Sequence, residues 1–172
     1  MGLFNLFNRK RTKKELLQWQ NLVMQDSPNV LIMTEQQLKE ASISQAKNIL
    51  RIINDSKKLI EKTLKPEVFF MRLQLIVEKS EHLCKLEPYV DFTGGSPSAA
   101  FREVERNFQL AIKQFLIRYF TDTFDKAESM ASEKGKIKKY QKFYDSLQNY
   151  YWLMDDANKE YIETKYRLHA KQ

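Results

Sequence analysis

Few side chains in this sequence suit nucleophilic or metal chemistry. The 172 residues include one cysteine, Cys84, and two histidines, His82 and His169. Zinc sites use four convergent ligands, or three and a water molecule, whereas His82 and Cys84 point in different directions on a helix because they are two residues apart. A cysteine nucleophile would need His169 to reach Cys84 together with a third, orienting group. The sequence therefore predicts no metal, no cofactor and no enzymatic activity.

The N-terminal tail, residues 1–11, has the pattern of a segment that binds a membrane surface. If the tail is helical, one face carries four apolar side chains: Leu3, Phe4, Leu6 and Phe7. Five basic residues follow: Arg9, Lys10, Arg11, Lys13 and Lys14. Apolar groups enter the headgroup boundary, and each cation near anionic lipid contributes on the order of 1 kcal/mol. Peripheral attachment to the inner membrane face is one interpretation; docking of the tail on the protein body, or a tail without fixed structure, is the other.

The charge of the chain is concentrated in this tail. The net charge is +7, from 29 basic and 22 acidic residues. Five of the basic residues fall within positions 1–14, so the remaining 24 nearly balance the 22 acids. The single cysteine suits a reducing compartment, and no apolar run approaches the roughly 20 residues of a membrane span. We expect a cytoplasmic protein, with any peripheral attachment made through the tail.

A second basic cluster lies in the predicted fifth helix and consists of Lys134, Lys136, Lys138, Lys139 and Lys142. Three aromatic residues are interleaved with it: Tyr140, Phe143 and Tyr144. Cations for phosphates and rings for unpaired bases would make a nucleic-acid surface. Because the three rings share one helical face and most lysines lie elsewhere, an aromatic core stripe with a solvated back is the favoured interpretation. Nucleic-acid binding by the tail and this helix is the alternative.

The elements that position these groups are predicted to be helices. Capping boxes occur at Thr12–Glu15 and at Thr34–Gln37. After the second box, three- and four-residue spacings predict a core-facing stripe of Ala46, Ile49, Leu50, Ile53, Leu59 and Ile60. Pro66 suits the first turn of the next helix, so helices over about 34–64 and 66–86 should form an antiparallel hairpin.

The second half of the chain continues this pattern. Ser96 followed by Pro97 predicts the start of a long central helix over about 97–131, in which one apolar stripe gives way to another. Gly135 is interpreted as a helix stop, and Asp155 or Asp156 as the cap of a last helix. With four glycines and four prolines, the prediction is an all-α, irregular five- to six-helix bundle. Residues 12–172 form one domain.

The predicted hairpin also suggests one ion pair. With the turn near Lys65, Asp55 lies roughly level with Arg72 on the neighbouring helix. The two side chains are therefore candidates for a structural ion pair across the hairpin. The alternative is that Asn54-Asp55-Ser56 simply forms the solvent face of its helix.

Two adjoining stretches carry a resemblance to a known family: Ile53-Asn54-Asp55-Ser56-x-x-Leu59-Ile60 and Lys65-Pro66-Glu67-Val68-Phe69-Phe70-x-Arg72. Residues 52–86 resemble an uncharacterised family of helical proteins found in low-GC Gram-positive bacteria and their phages, and the similarity extends more loosely to about residue 166. The resemblance implies a helical fold and a bacterial or mobile-element source. It implies no activity and assigns no functional residue.

Together these features predict a non-enzymatic interaction or regulatory module. Its expected partner is another protein, with an anionic membrane surface as a further contact, nucleic acid as the less favoured one and a homodimer as another arrangement. The resemblance adds one more hypothesis, that of a phage or mobile-element accessory protein that binds a host protein.

Overall fold

The computed structural model describes residues 11–24, 28–92 and 95–170. In this part of the chain six α-helices follow one another, and a short 3₁₀ helix, Tyr151–Leu153, lies between the last two. The helices are α1 (Lys13–Val23), α2 (Glu35–Lys62), α3 (Pro66–Leu86), α4 (Pro97–Glu128), α5 (Glu133–Gln148) and α6 (Asp156–Ala170). The predicted all-α bundle, its α2–α3 hairpin and its long central helix are confirmed.

Most helices begin where the sequence signals predicted. Thr12 and Thr34 each accept a hydrogen bond from the third backbone N–H of their helix, and the Glu15 and Gln37 side chains return the bond to the cap. At α4 the Ser96 hydroxyl accepts from the Ala99 N–H, without a side chain that returns the bond. The Asp155 carboxylate accepts from the Asn158 N–H at 2.8 Å and so begins α6. Each cap satisfies N–H groups that lack an intrahelical partner.

Gly135 does not stop a helix as predicted. It lies in the first turn of α5, where its N–H points to the Ser132 hydroxyl at 3.4 Å. The stop signal is weak here because its φ is not positive, whereas Gly95, just before α4, has a φ of 119°. Helix α4 ends at Glu128, three residues before the predicted boundary. The connection between α4 and α5 therefore covers residues 129–132, and Gly135 lies inside α5 rather than between the two helices.

Two clusters of buried side chains hold the helices together. The hairpin core lies between α2 and α3 and in the turn that follows, and consists of Ala46, Ile49, Ile53, Ile76, Leu83, Leu86 and Val90. The aromatic core joins α3, α4, α5 and α6; its largest members are Phe69, Phe70, Phe115, Phe120, Tyr140 and Phe143. Helix α1 packs on the hairpin through Trp19, whose indole N–H donates to the Ser42 hydroxyl at 2.7 Å. None of the described helices is both long and apolar enough to cross a bilayer.

Candidate functional site: an apolar groove between α2 and α4

A groove runs along the bundle between α2 and α4. Both helices pack on α3, which lies between them, and they make little contact with each other. Side chains of α3 such as Ile76 and Leu83 therefore form the floor, and α2 and α4 form the walls. The arrangement follows from the short connection at Thr63–Lys65, which sets α2 against α3, and from α4 packing on a different side of α3.

Three adjoining cavities make up this groove. The largest, of about 880 Å³, lies at the end formed by Val90, Phe92 and the first turn of α4. A middle cavity of about 310 Å³ shares Leu50 and Ala100 with the first. The third, of about 390 Å³, shares Ile60 and Ala111 with the middle one. Because neighbouring cavities share lining residues, they adjoin one another along the same side of the bundle, and together they make up the groove.

The walls of the groove expose apolar side chains to solvent. On α2, Ile43 is 44% exposed and Leu50 is 41% exposed. The prediction that Leu50 and Leu59 belong to the core-facing stripe is therefore wrong. Leu50 lies one residue, about 100°, around the helix from the buried Ile49, and Leu59 is 42% exposed. On α4, Val104 and Phe108 are only half-buried. Charged residues border this apolar strip: Lys47 and Lys57 on α2, Glu103 and Arg106 on α4, and Asp91 in the turn after α3.

Polar contacts hold the two ends of the groove. At one end the Glu87 carboxylate accepts hydrogen bonds from the hydroxyls of Ser96 and Ser98 and, at 3.2 Å, from the Ser98 N–H. These bonds hold the pKa of Glu87 below its ordinary value. At the other end the Arg118 guanidinium donates to the carbonyls of Ile60, at 2.8 Å, and Glu61. Arg118 thus joins α4 to the last turn of α2, where the carbonyls carry partial negative charge. The Arg118 contact links the two walls, whereas the Glu87 contact holds the start of α4 against the end of α3.

Most residues of the predicted membrane tail lie outside the described part of the chain: Leu3, Phe4, Leu6, Phe7, Arg9 and Lys10. Arg11 is described and is engaged by the bundle, since its guanidinium contacts Glu35 at 2.8 Å and lies 4.7 Å from the Trp19 ring centre. Its side chain is only 15% exposed. Lys13 and Lys14 are exposed at the start of α1. Lys13 and Lys14 therefore face solvent, whereas Arg11 is held against the bundle.

The lysines of the predicted nucleic-acid surface lie on α5, but the aromatic rings of the same helix face the core instead of the lysine surface. Tyr140 is 2% exposed and Phe143 is 1% exposed, so neither ring can stack on a base. The third ring, Tyr144, donates its hydroxyl to Glu163 at 2.9 Å. Lys136 lies within 3.5 Å of Glu128, whereas Lys134, Lys138 and Lys142 are exposed. The aromatic core stripe is confirmed, and it removes the stacking part of the nucleic-acid hypothesis.

Asp55 and Arg72 do not form the expected pair. Asp55 is exposed on α2 and Arg72 is half-buried on α3. The ion pairs among the described residues do not join them, and the Arg72 Nε is buried without a hydrogen-bond partner there. The position that α2 turns toward α3 at this level is Ser56, which is fully buried. Asp55 lies one residue, about 100°, away from that face.

The residues considered first for chemistry are dispersed. The Nε2 of His82 lies 3.2 Å from the Leu22 carbonyl, and His169 stacks on Tyr140 with ring centres 4.9 Å apart. Burial raises the pKa of the Cys84 thiol, which lowers its thiolate fraction and hence its reactivity. No group of three metal-ligating side chains occurs in the ranges that the structure describes.

Comparison with known proteins gives no match to a family model, to a characterised protein or to a solved structure. The resemblance of residues 52–86 to an uncharacterised helical family therefore stays a hypothesis. The function has to be argued from the groove and the charged surfaces themselves. Sequence reasoning missed the groove, although Ile43, Lys47 and Leu50 do form a mixed face beside the buried stripe of α2.

Proposed function

We propose that the protein is a non-enzymatic interaction module that binds an amphipathic helix of a partner protein in the groove between α2 and α4. The observation that carries the proposal is the row of adjoining apolar cavities whose floor is α3 and whose walls expose Ile43 and Leu50. Exposed apolar surface of this kind, bordered by polar residues, is typical of binding sites. A groove that receives a helix is a recurring mode of peptide recognition.

The dimensions of the groove support a helical ligand. Its α4 wall extends from Pro97 to Arg118, which at 1.5 Å per residue corresponds to roughly 30 Å, the length of a helix of about 20 residues. A helix satisfies its own backbone hydrogen bonds, so it needs few polar groups from the groove. The lining is mainly aliphatic, with Leu50, Leu83 and Ala100 near the centre. An extended peptide would leave more backbone groups without partners on such a surface.

The charged border indicates the sequence of the partner helix. Lys47 and Lys57 follow the α2 wall and Arg106 stands on the α4 wall. Within the described part of the chain these three cations have no ion-pair partner. A partner helix with an apolar stripe, acidic residues facing these cations and basic residues facing Glu103 and Asp91 would complement the border. Such rim contacts contribute more to association rate and orientation than to affinity.

A matched pair of substitutions tests this proposal. Leu50→Glu places a charge inside the groove, whereas Leu59→Glu makes the same change on the same helix outside the three cavities. The two leucines are 41% and 42% exposed, so the cost to folding should be similar. Each protein, and the unchanged chain, is used to select binders from a display library of short peptides and to capture partners from cell extract.

We expect amphipathic helical peptides and one captured partner that the unchanged chain and Leu59→Glu retain and Leu50→Glu loses. A synthetic peptide from the partner's helix should then bind with at least about a tenfold difference between the two variants. Equal binding to both variants would contradict the proposal. A concentration-dependent homodimer that only Leu50→Glu abolishes would replace the partner protein by a second copy of the chain.

We also propose that the N-terminal tail attaches the protein to an anionic membrane surface. Lys13 and Lys14 support this because they are exposed at the start of α1, next to the tail. Arg11 should be kept in the test since it contacts Glu35 and Trp19. The full chain and a chain lacking residues 2–9 are compared by flotation with anionic liposomes. We expect the full chain alone to float, and equal recovery of both would reject the attachment.

A further inference from the structure

A second concave site lies away from the groove, where α4 and α5 meet the α2–α3 connection. This pocket has a volume of about 320 Å³ and shares no lining residue with the three cavities of the groove. Four lysines from three separate segments line it: Lys65 in the connection, Lys126 on α4, and Lys139 and Lys142 on α5. Asp122 is the acidic residue that accompanies them. The lysines converge because of the fold, since Lys65 and Lys142 are 77 positions apart in the sequence.

The charges in this lysine pocket are unbalanced. Lys126 pairs with Asp122 at 2.7 Å. In the described part of the chain Lys65, Lys139 and Lys142 have no ion-pair partner. Like charges that face one shallow cavity repel each other, and the repulsion is stronger where protein replaces water on one side. Here the floor includes Thr123, which is 4% exposed, and Phe143, which is 1% exposed. The pocket therefore presents about three uncompensated positive charges above a dry base.

We propose that the lysine pocket binds the phosphoryl group of a ligand. A phosphate monoester carries about 1.5 to 2 negative charges and three acceptor oxygens, and each ammonium offers three donors. The Thr123 hydroxyl is already used, because it donates to the Tyr119 carbonyl at 2.8 Å. The ammonium groups of Lys65, Lys139 and Lys142 therefore supply the recognition. An anion with two or more charges offsets most of this positive charge, whereas a singly charged ion offsets only about a third of it.

The phosphoryl group has two possible sources, which differ in where the rest of the ligand would lie. A small polyphosphate stays within the pocket. A nucleic-acid strand continues along α5, where Lys134 and Lys138 are exposed outside the pocket. For a small polyphosphate these two lysines provide a matched control, since they stand on the same helix and carry the same charge but lie outside the pocket.

The experiment compares three proteins: the unchanged chain, Lys139→Glu/Lys142→Glu and Lys134→Glu/Lys138→Glu. Binding of inorganic pyrophosphate is measured by titration calorimetry at low salt, and binding of a labelled single-stranded oligonucleotide by fluorescence anisotropy. We expect pyrophosphate to bind the unchanged chain and the control variant equally, and the pocket variant at least about tenfold more weakly. Lys139→Gln/Lys142→Gln, which removes charge without reversing it, and thermal melting of every variant separate lost binding from lost folding.

The oligonucleotide then identifies the source of the phosphoryl group. If it binds and the pocket variant loses more affinity than the control variant, the phosphoryl group in the pocket belongs to a nucleic-acid strand and the proposal stands. If pyrophosphate alone binds, the ligand is a small polyphosphate. Failure of the unchanged chain to bind either probe would overturn the proposal. Equal weakening of both probes by the two double variants would also overturn it, because only general positive charge would then be acting.

Discussion

The two halves of α4 lie in contrasting surroundings. From Ile112 onward one face of the helix is enclosed by α3, α5 and α6, and Phe115 and Leu116 are fully buried in the aromatic core, while Ile117 on another face still borders the groove. Before Ile112 the same helix contributes Val104 and Phe108, which are half-buried and border the groove. The difference arises because α5 and α6 fold back over the second half, whereas no described helix covers the first half on its α2 side. One helix thus contributes both to the closed aromatic core and to a wall of the open groove.

This contrast separates the part of the molecule that contributes most to stability from the part whose apolar surface a ligand would cover. Apolar burial stabilises folding by roughly 25 cal/mol per Å² removed from water, so the enclosed half of α4 contributes most of the helix's share. The groove leaves part of its apolar surface in water, so the free energy of burying that surface is gained only when a ligand covers it. Substitutions in the two regions should therefore separate loss of stability from loss of binding.

The largest expected effect is in the enclosed half. Phe115→Ala removes a ring that stacks on Phe69 with centres 4.1 Å apart and should destabilise the fold by about 3–5 kcal/mol. Ile117→Ala, two residues along the same helix and 43% exposed in the groove wall, should cost less than about 1 kcal/mol. Urea denaturation followed by circular dichroism measures both. Similar losses at the two positions would show that the groove wall is as tightly packed as the aromatic core.

A smaller effect is expected where the two halves of α4 meet. The Gln109 side chain donates to the Leu153 carbonyl at 2.9 Å and accepts from the Asp155 N–H at 3.0 Å, and its Oε1 also lies 3.0 Å from the Asn158 amide. It thereby fixes the α5–α6 connection on α4. Gln109→Ala removes these hydrogen bonds and should lower the free energy of unfolding by about 1–3 kcal/mol.

The matched control is Gln114→Ala, on an exposed position of the same helix, which should change stability by no more than about 0.5 kcal/mol. Urea denaturation measures both variants. Hydrogen exchange should also show faster opening of residues 151–158 in Gln109→Ala alone. Equal stability of the two variants would mean that the Gln109 bonds do not hold the connection.

The smallest effect concerns the end of the groove held by Glu87. The hydrogen bonds that Ser96 and Ser98 donate to the carboxylate hold the folded-state pKa of Glu87 below its ordinary value. A carboxyl with a lowered pKa contributes stability above its unfolded pKa, and that contribution is lost as the pH falls through the folded pKa. The stability difference between the unchanged chain and Glu87→Gln should thus be full at neutral pH and shrink with acidification below about pH 4.5. A difference independent of pH, measured by urea denaturation at a series of pH values, would exclude this role.

The helices could be predicted from local residues, because the start of a helix depends on the cap residue and on the first few positions after it. Thr12, Thr34, Ser96 and Pro66 each stand where the structure begins a helix. Gly135 misled because a glycine marks a helix end only when the backbone takes a left-handed conformation there. The helical pattern of α5 was also sufficient to place Tyr140 and Phe143 in the core.

The groove and the lysine pocket could not be predicted in the same way. Whether Leu50 faces a neighbouring helix or solvent depends on the angle at which α4 crosses α3, which no local pattern fixes. Asp55 failed to reach Arg72 because a shift of one residue on a helix turns a side chain by about 100°. Lys65 joins Lys139 and Lys142 only after four helices have folded. Sites formed across helices of a bundle are set by packing geometry rather than by spacing in the sequence.

The order in which the helices pack has a consequence for synthesis. The main interfaces join consecutive helices, α1 with α2, α2 with α3, and so on to α6, and the contact of α6 with α4 is the main exception. Each new helix therefore finds its partner among segments that the ribosome has already released, since chains emerge from the N-terminus. Such short-range topology lowers contact order and favours rapid folding. The hairpin that forms the floor and one wall of the groove is then complete before α4 arrives to form the other wall.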